Sequence, residues 1–146
     1  MAVLKVWQRF EIIDLLGRKH EGGSSVEPET VIVDGTVKDE VKTIGAAATW
    51  DFWVTGAEEP LTDFDLLFIE SDLDGVMVEL TTDKGAEVGT VVSTVELKAG
   101  KPLILNSDGS WANYTVDFAA GTLDVIDQIR IHNPAGSANV HAVLVT

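Results

Sequence analysis

At 146 residues the chain has the length of one domain, and a domain of that size buries roughly two thirds of the surface its unfolded form exposes. It contains no cysteine, which removes disulfides, thiolate metal sites and cysteine nucleophiles together. A net charge of −14 opposes the phosphate backbone, so nucleic acid is not an expected partner.

No stretch approaches the roughly 18 consecutive apolar residues of a membrane-spanning helix, and a membrane partner is not expected either. The first residues alternate charged and apolar groups without the continuous apolar core of a secretion signal, so the expectation is a chain made in the cytoplasm, starting near Met1.

Residues 1 to 20 hold Lys5, Arg9, Arg18 and Lys19 against Glu11 and Asp14, a net of +2, which leaves −16 for the remainder. A basic, apolar segment therefore precedes an acidic body. Within it Val3, Val6, Trp7, Phe10 and Ile13 fit helical spacing, while Leu4, Val6, Phe10 and Ile12 partly fit a two-residue alternation. Helix and strand both remain open for this arm. Gly17 to Pro28, with Gly22, Gly23, Ser24 and Ser25, has the composition of a flexible linker. The expected division is an arm and linker over residues 1–25 and a folded domain over 26–146.

Beyond Pro28 the helical period ends, and about eight short runs rich in Val, Ile, Thr and aromatics recur between turn residues. Thr30 to Val33 reaches Asp34-Gly35, and Thr36 to Ile44 follows as its expected hairpin partner. In Ala48 to Val54, Trp50 and Phe52 alternate with Asp51 and Trp53. Under regular alternation Trp50 and Trp53 fall on opposite faces, so one of them, with Trp53 the candidate, is exposed or is covered by the arm or another subunit. Asp65 to Glu70 and Val76 to Thr82 flank a tight-turn sequence ending in Asp74-Gly75. Gly89 to Leu97, Pro102 to Leu105, Trp111 to Phe118, Leu123 to Ile131 and Asn139 to Val145 complete the set. No helical segments separate these runs, which disfavours an alternating β/α fold. The expected fold is an all-β jelly-roll sandwich of about eight antiparallel strands with an N-terminal arm; an immunoglobulin-like sandwich is the runner-up.

The acidic stretch from Thr43 to Asp83 lacks Lys and Arg altogether. Glu70, Asp72, Asp74 and Gly75 imitate the start of a calcium-binding loop, but Thr81 stands where the closing Glu belongs. A hairpin at Asp74-Gly75 with solvated carboxylates is the favoured reading, and no metal or cofactor is expected. Carboxylate pairs suited to glycoside hydrolysis arise by accident among so many acids, and no nucleophile elbow or glycine-rich phosphate loop is present. His132 and His141 come close only if their strands form a hairpin; His132 reads as a loop residue and His141 as outward-facing on the last strand. Asn113-Tyr114-Thr115 matches the glycosylation sequon without a secretion signal to give it weight. An enzyme is not expected.

Phe64-Asp65-Leu66-Leu67-Phe68-Ile69-Glu70-Ser71-Asp72, then Val76-Met77-Val78-Glu79-Leu80-Thr81-Thr82-Asp83, and the closing Ile129-Arg130-Ile131-His132-Asn133-Pro134-Ala135-Gly136-Ser137-Ala138-Asn139-Val140-His141-Ala142-Val143-Leu144-Val145 resemble small jelly-roll proteins of tailed-phage particles, of the capsid decoration or cement type. The resemblance covers roughly Pro60 to the C-terminus and consists mostly of strand grammar. It implies paired last strands, a homo-oligomer of three copies, the major capsid protein as partner and a place on the virion surface. It carries no catalytic or ligand residues. The arm's Val3, Val6, Trp7, Phe10, Ile13 and Leu16 are the expected docking residues, because burying such side chains yields about 1.5 to 3 kcal/mol each. Trp53 and Trp111 are the candidate interface or exposed aromatics. The alternative function is a carbohydrate- or receptor-binding module of a phage tail that uses Trp53 or Trp111 as a stacking platform.

Overall fold

The computed structural model describes residues 2–6, 9–13, 19–23, 29–33, 37–54, 61, 64–83, 90–106 and 126–146. The chain divides into two compact units, Met1–Gly35 and Thr36–Thr146. Trp7, Leu16 and Trp111, and the expected run from Trp111 to Phe118, lie outside the described residues.

In the first unit, β1 (Ala2–Val6) pairs with β4 (Glu29–Val33), and β2 (Arg9–Ile13) pairs with β3 (Lys19–Gly23), all antiparallel. The pairings are nested: the chain runs out along β1 and β2 and returns along β3 and β4. The open question of helix or strand is thus resolved as strand. Val3, Ile12, Ile13, Val31, Ile32 and Val33 are β-branched and lose side-chain freedom in a helix, whereas each strand here meets a partner ladder. Two expectations are corrected. Gly22 and Gly23, read as linker, lie in β3 opposite Phe10 and Arg9, and Thr30 to Val33 pairs with β1 instead of forming a hairpin with the next run. The unit extends to Gly35, beyond the expected end of the arm.

The second unit is an all-β sandwich of eight antiparallel strands in two four-stranded sheets. The strands are β5 (Val37–Ile44), β6 (Ala48–Val54), β7 (Leu66–Ser71), β8 (Met77–Asp83), β9 (Thr90–Glu96), β10 (Leu103–Leu105), β11 (Ile126–Asn133) and β12 (Ala138–Val145). One sheet has the order β10-β7-β12-β5 and the other β6-β11-β8-β9. No helix occurs among the described residues. Two-residue alternation sends one face of each strand inward, most cleanly in β7 and β12. Trp50 and Phe52 from β6, Leu67 and Ile69 from β7, Val78 and Leu80 from β8, Ile129 and Ile131 from β11, and Val140 and Leu144 from β12 meet in one core. Trp50 and Phe52 pack edge to face with ring centroids 5.3 Å apart, a favoured aromatic geometry.

Among the described strands of this unit, only β8 and β9 are neighbours both in sequence and in a sheet. Elsewhere the chain crosses from one sheet to the other. The expected hairpin across Asp74-Gly75 is therefore corrected to a corner between sheets, as is the expected pairing of the last two strands: β11 pairs with β6 and β8, and β12 with β5 and β7. The turn chemistry itself holds, since Gly75 adopts φ 84°, a region that L side chains disfavour. The side chains on either side of the corner decide the outcome. Leu67 and Ile69 before it and Val78 and Leu80 after it are all buried, and facing sheets bury both sets.

Asn133, fully buried at the end of β11, holds two of these corners together. Its amide nitrogen donates to the carbonyls of Ile44 (2.8 Å), Gly45 (3.3 Å) and Gly136 (3.3 Å).

Candidate functional site

The two sheets present outer faces of different chemistry. On β6, β11, β8 and β9 the outward positions include Thr49, Asp51, Arg130, Glu79, Thr81, Thr94 and Glu96, a polar face of the usual kind for an antiparallel sheet. There Arg130 Nε donates to Asp51 Oδ1 at 2.7 Å, and Gln128 Nε2 donates to the same oxygen at 3.0 Å. The hydrogen bond that Arg130 donates to Asp51, reinforced by the carboxylate's charge, raises the Arg130 pKa above its ordinary value.

The outer face of β10-β7-β12-β5 is mainly apolar. Ile104, Phe68 and Val143 stand in one cross-strand row that ends at Asp39, and Leu66, the buried Val145 and Val37 form the next. Leu66, Phe68, Ile104 and Val143 are half-buried, Val37 is 48% exposed and Val41 72% exposed. A row of Glu70, His141 and Val41 follows. His141 Nε2 lies 2.8 Å from Asp39 Oδ1, and the His141 ring meets the Phe68 ring edge to face at 5.7 Å.

Beyond that row lies an open groove of about 400 Å³, lined by residues of β5, β7, β12 and the turn at Gly100. Its lining residues Asp72 and Asn139 belong to a chain of polar contacts across three segments. Asp72 accepts the Asn139 backbone N–H at 2.7 Å and the Asn139 side-chain amide at 2.7 Å, while the Thr43 hydroxyl donates to Asn139 Oδ1 at 2.8 Å. The Asn139 backbone N–H, with the side-chain amide second, holds the Asp72 carboxyl below its ordinary pKa, since both stabilise the ionised form. Ser71 Oγ ties the adjoining corner by donating to the Leu73 carbonyl and accepting the Leu73 N–H.

The three acids that imitate a calcium loop are separated in use. Glu70 faces outward opposite His141, Asp72 holds Asn139, and Asp74 accepts the Ala99 N–H at 2.8 Å. Among the described residues no group of three or more His, Asp or Glu side chains is placed to hold a metal ion. His132 and His141 belong to different sheets, so the idea of a histidine pair is corrected, and His132 lies within β11 instead of a loop. Of the expected docking residues, Val3 and Val6 fall on β1, and Phe10 and Ile13 on β2.

Trp53 is half-buried against the core, and the Lys38 ammonium sits 5.6 Å from its ring. Regular alternation is broken here. The register against β11 steps from Trp53 to Asp51 as β11 advances by one residue, so Phe52 is buried between them. A bulge of this type re-aims side chains, and the strict opposition of faces expected for Trp50 and Trp53 does not hold. Sequence reasoning did not single out Val41, Asp39 or Asn139. One signal for the first two was available: Lys38, Asp39, Glu40 and Lys42 place charge on both faces of one strand, as an edge strand does.

Comparison with protein-family models, curated proteins and solved structures finds no match.

Proposed function

We propose that the chain is a non-enzymatic structural protein of a tailed-phage virion, a jelly-roll domain that decorates or cements the capsid surface as an oligomer. The apolar outer face of β10-β7-β12-β5 carries this reading. Outward Phe68, Ile104, Val143, Val37 and Val41 on a chain with net charge −14 suit a surface that is covered in an assembly. The strand order supports the jelly-roll part of this reading. β12 lies between β5 and β7 while β11 lies between β6 and β8, the interleaving of two Greek keys in a jelly roll. The resemblance of residues 60 to 146 to decoration proteins supplies the virion. The engagement of Asp39, Asp51, Asp72 and Asp74 with neighbouring groups favours carboxylates that fix structure over carboxylates that do chemistry.

The test is sedimentation of the purified chain with expanded capsids of the phage that encodes it, stripped of surface proteins, alongside light scattering of the free chain. Saturable co-sedimentation and a mass of three copies are expected. Capsids that pellet without the chain at micromolar protein sink the reading.

A further inference from the structure

We propose that β5 pairs with β5 of a second copy, antiparallel about a two-fold axis through Val41, to join two sandwiches through one continuous eight-stranded sheet. Among the described residues β5 has β12 on one side and no strand on the other, and six of its eight residues, all but Lys38 and Ile44, are exposed. An exposed strand edge is a template for another strand, and the charges of this one specify which.

The faces of β5 are assigned by its contacts. Ile44 is buried, and the Lys38 and Lys42 ammonium groups sit over the rings of Phe52 at 5.1 Å and Trp50 at 5.5 Å, so Lys38, Glu40, Lys42 and Ile44 share the inner face. Asp39, Val41 and Thr43 share the outer face, where Asp39 meets His141 and Thr43 meets Asn139. Directly opposed residues of an antiparallel pair project to the same side, so a two-fold axis normal to the sheet must pass through a residue position. Centred on Glu40, it sets Glu40 against itself and Lys38 against Lys42. Centred on Lys42, it sets Lys42 against itself. Centred on Asp39, it sets Asp39 against itself and pairs fewer residues. Centred on Val41, it sets Glu40 against Lys42 of the second copy twice and Asp39 against Thr43 twice, with Val41 against itself. This last register contains no like-charge pair.

The register also accounts for Val41, the most exposed large apolar side chain of the described residues at 72%. Its methyl groups meet their own copies at the axis. Inward lysines penalise pairing with an arbitrary strand; here Lys42 faces Glu40 of the second copy, while Lys38 keeps Glu40 of its own strand at 3.7 Å, so the edge excludes most partners and admits itself. An isologous contact closes on two copies. It does not rest on the decoration reading, and a ring of three held by another surface would be linked through it to a second ring.

The full chain tests this directly, because it contains no cysteine. Val41→Cys is expected to form a disulfide-linked dimer under mild oxidation that leaves Thr43→Cys unlinked, since residue 43 faces residue 39 across the axis. Sedimentation velocity supplies the second arm. Lys42→Glu and Glu40→Lys each place like charges opposite one another twice and are expected to weaken dimerisation by about tenfold or more, while the double exchange E40K/K42E restores it. Circular dichroism identifies any variant that fails to fold, and Val41→Cys, on the exposed face, decides the register independently of the charge variants. A wild-type chain that stays monomeric at high concentration, equal linking of the two cysteine variants, or a double exchange no better than the single ones would overturn the proposal.

Discussion

The side-chain amide of Asn133 donates to the carbonyl of Ile44 at 2.8 Å across 89 residues of sequence. The same nitrogen reaches Gly45 and Gly136, so the end of β11 is fastened to the corner after β5 and to the loop before β12. Asn133→Ala leaves the buried Ile44 carbonyl without its donor, and an unmade buried hydrogen bond costs about 1 to 3 kcal/mol. A loss of stability in that range is expected from urea titration followed by tryptophan fluorescence. Asn133→Asp, which replaces the donor with a carboxylate facing carbonyls, is expected to lose more.

Asp72 makes stability depend on acid pH. Its carboxyl is held below the ordinary value of 3.8 by the Asn139 backbone and side-chain amides, and the unfolded chain lacks those donors. A depressed folded pKa contributes stability that is fully present above the unfolded value and is lost as pH falls through the folded one. The wild-type chain is therefore expected to lose stability below about pH 4, with a shallower fall in Asp72→Asn. Thermal midpoints measured between pH 6 and pH 2 check this, and parallel profiles for the two chains would remove Asp72 as a cause.

The core and the outer faces are expected to respond differently to truncation. Phe52 is 1% exposed and packs against the Trp50 ring and under the Lys38 ammonium, so Phe52→Ala is expected to cost about 3 to 5 kcal/mol. Val92, 54% exposed on β9, is outside the core cluster, and Val92→Thr is expected to change stability by no more than about 0.5 kcal/mol. Equilibrium unfolding of both variants separates the two cases.

The Arg130–Asp51 pair is well formed at 2.7 Å but both side chains are more than a third exposed. Solvent screening limits such a pair to about 0.2 to 1 kcal/mol. A double-mutant cycle with Arg130→Met and Asp51→Asn is expected to give a coupling within that range, falling toward zero in 1 M salt, where the screening length is only about 3 Å.

Much of the sandwich was legible in the sequence, because strands announce themselves by alternation and turns by glycine and asparagine. Leu67, Ile69, Val78 and Leu80 are legible as inward positions, and Asp74-Gly75 as a turn. Which strand bonds to which was not legible. A sharp turn followed by an alternating strand is the same local pattern whether the second strand lies beside the first or faces it across the core. The difference resides in ladders such as Val140 with Ser71 and Lys42, which join distant segments. The arm was ambiguous for another reason: helical and strand spacing overlapped at Val6 and Phe10, and the ladder of β1 with β4 lay beyond any local window. Val41 escaped attention because a lone valine between charges is ordinary on a surface. Only its place on an edge with no further strand among the described residues, beside Glu40 and Lys42, draws attention to it.

The placement of β12 between β5 and β7 has a consequence for how the chain acquires its structure. Asp39 on β5 must wait for His141, 102 residues later, so β5 and β7 remain without their shared partner throughout synthesis of the intervening segment. Closing loops of that length before any reward from pairing makes folding slow. The β8–β9 hairpin is the one described ladder of the sandwich that can form early, and the first sheet is completed from its middle. During that interval β5 lacks its ladder with β12, and Lys38, Glu40 and Lys42 place on it the inward-facing charges that penalise pairing with an arbitrary strand.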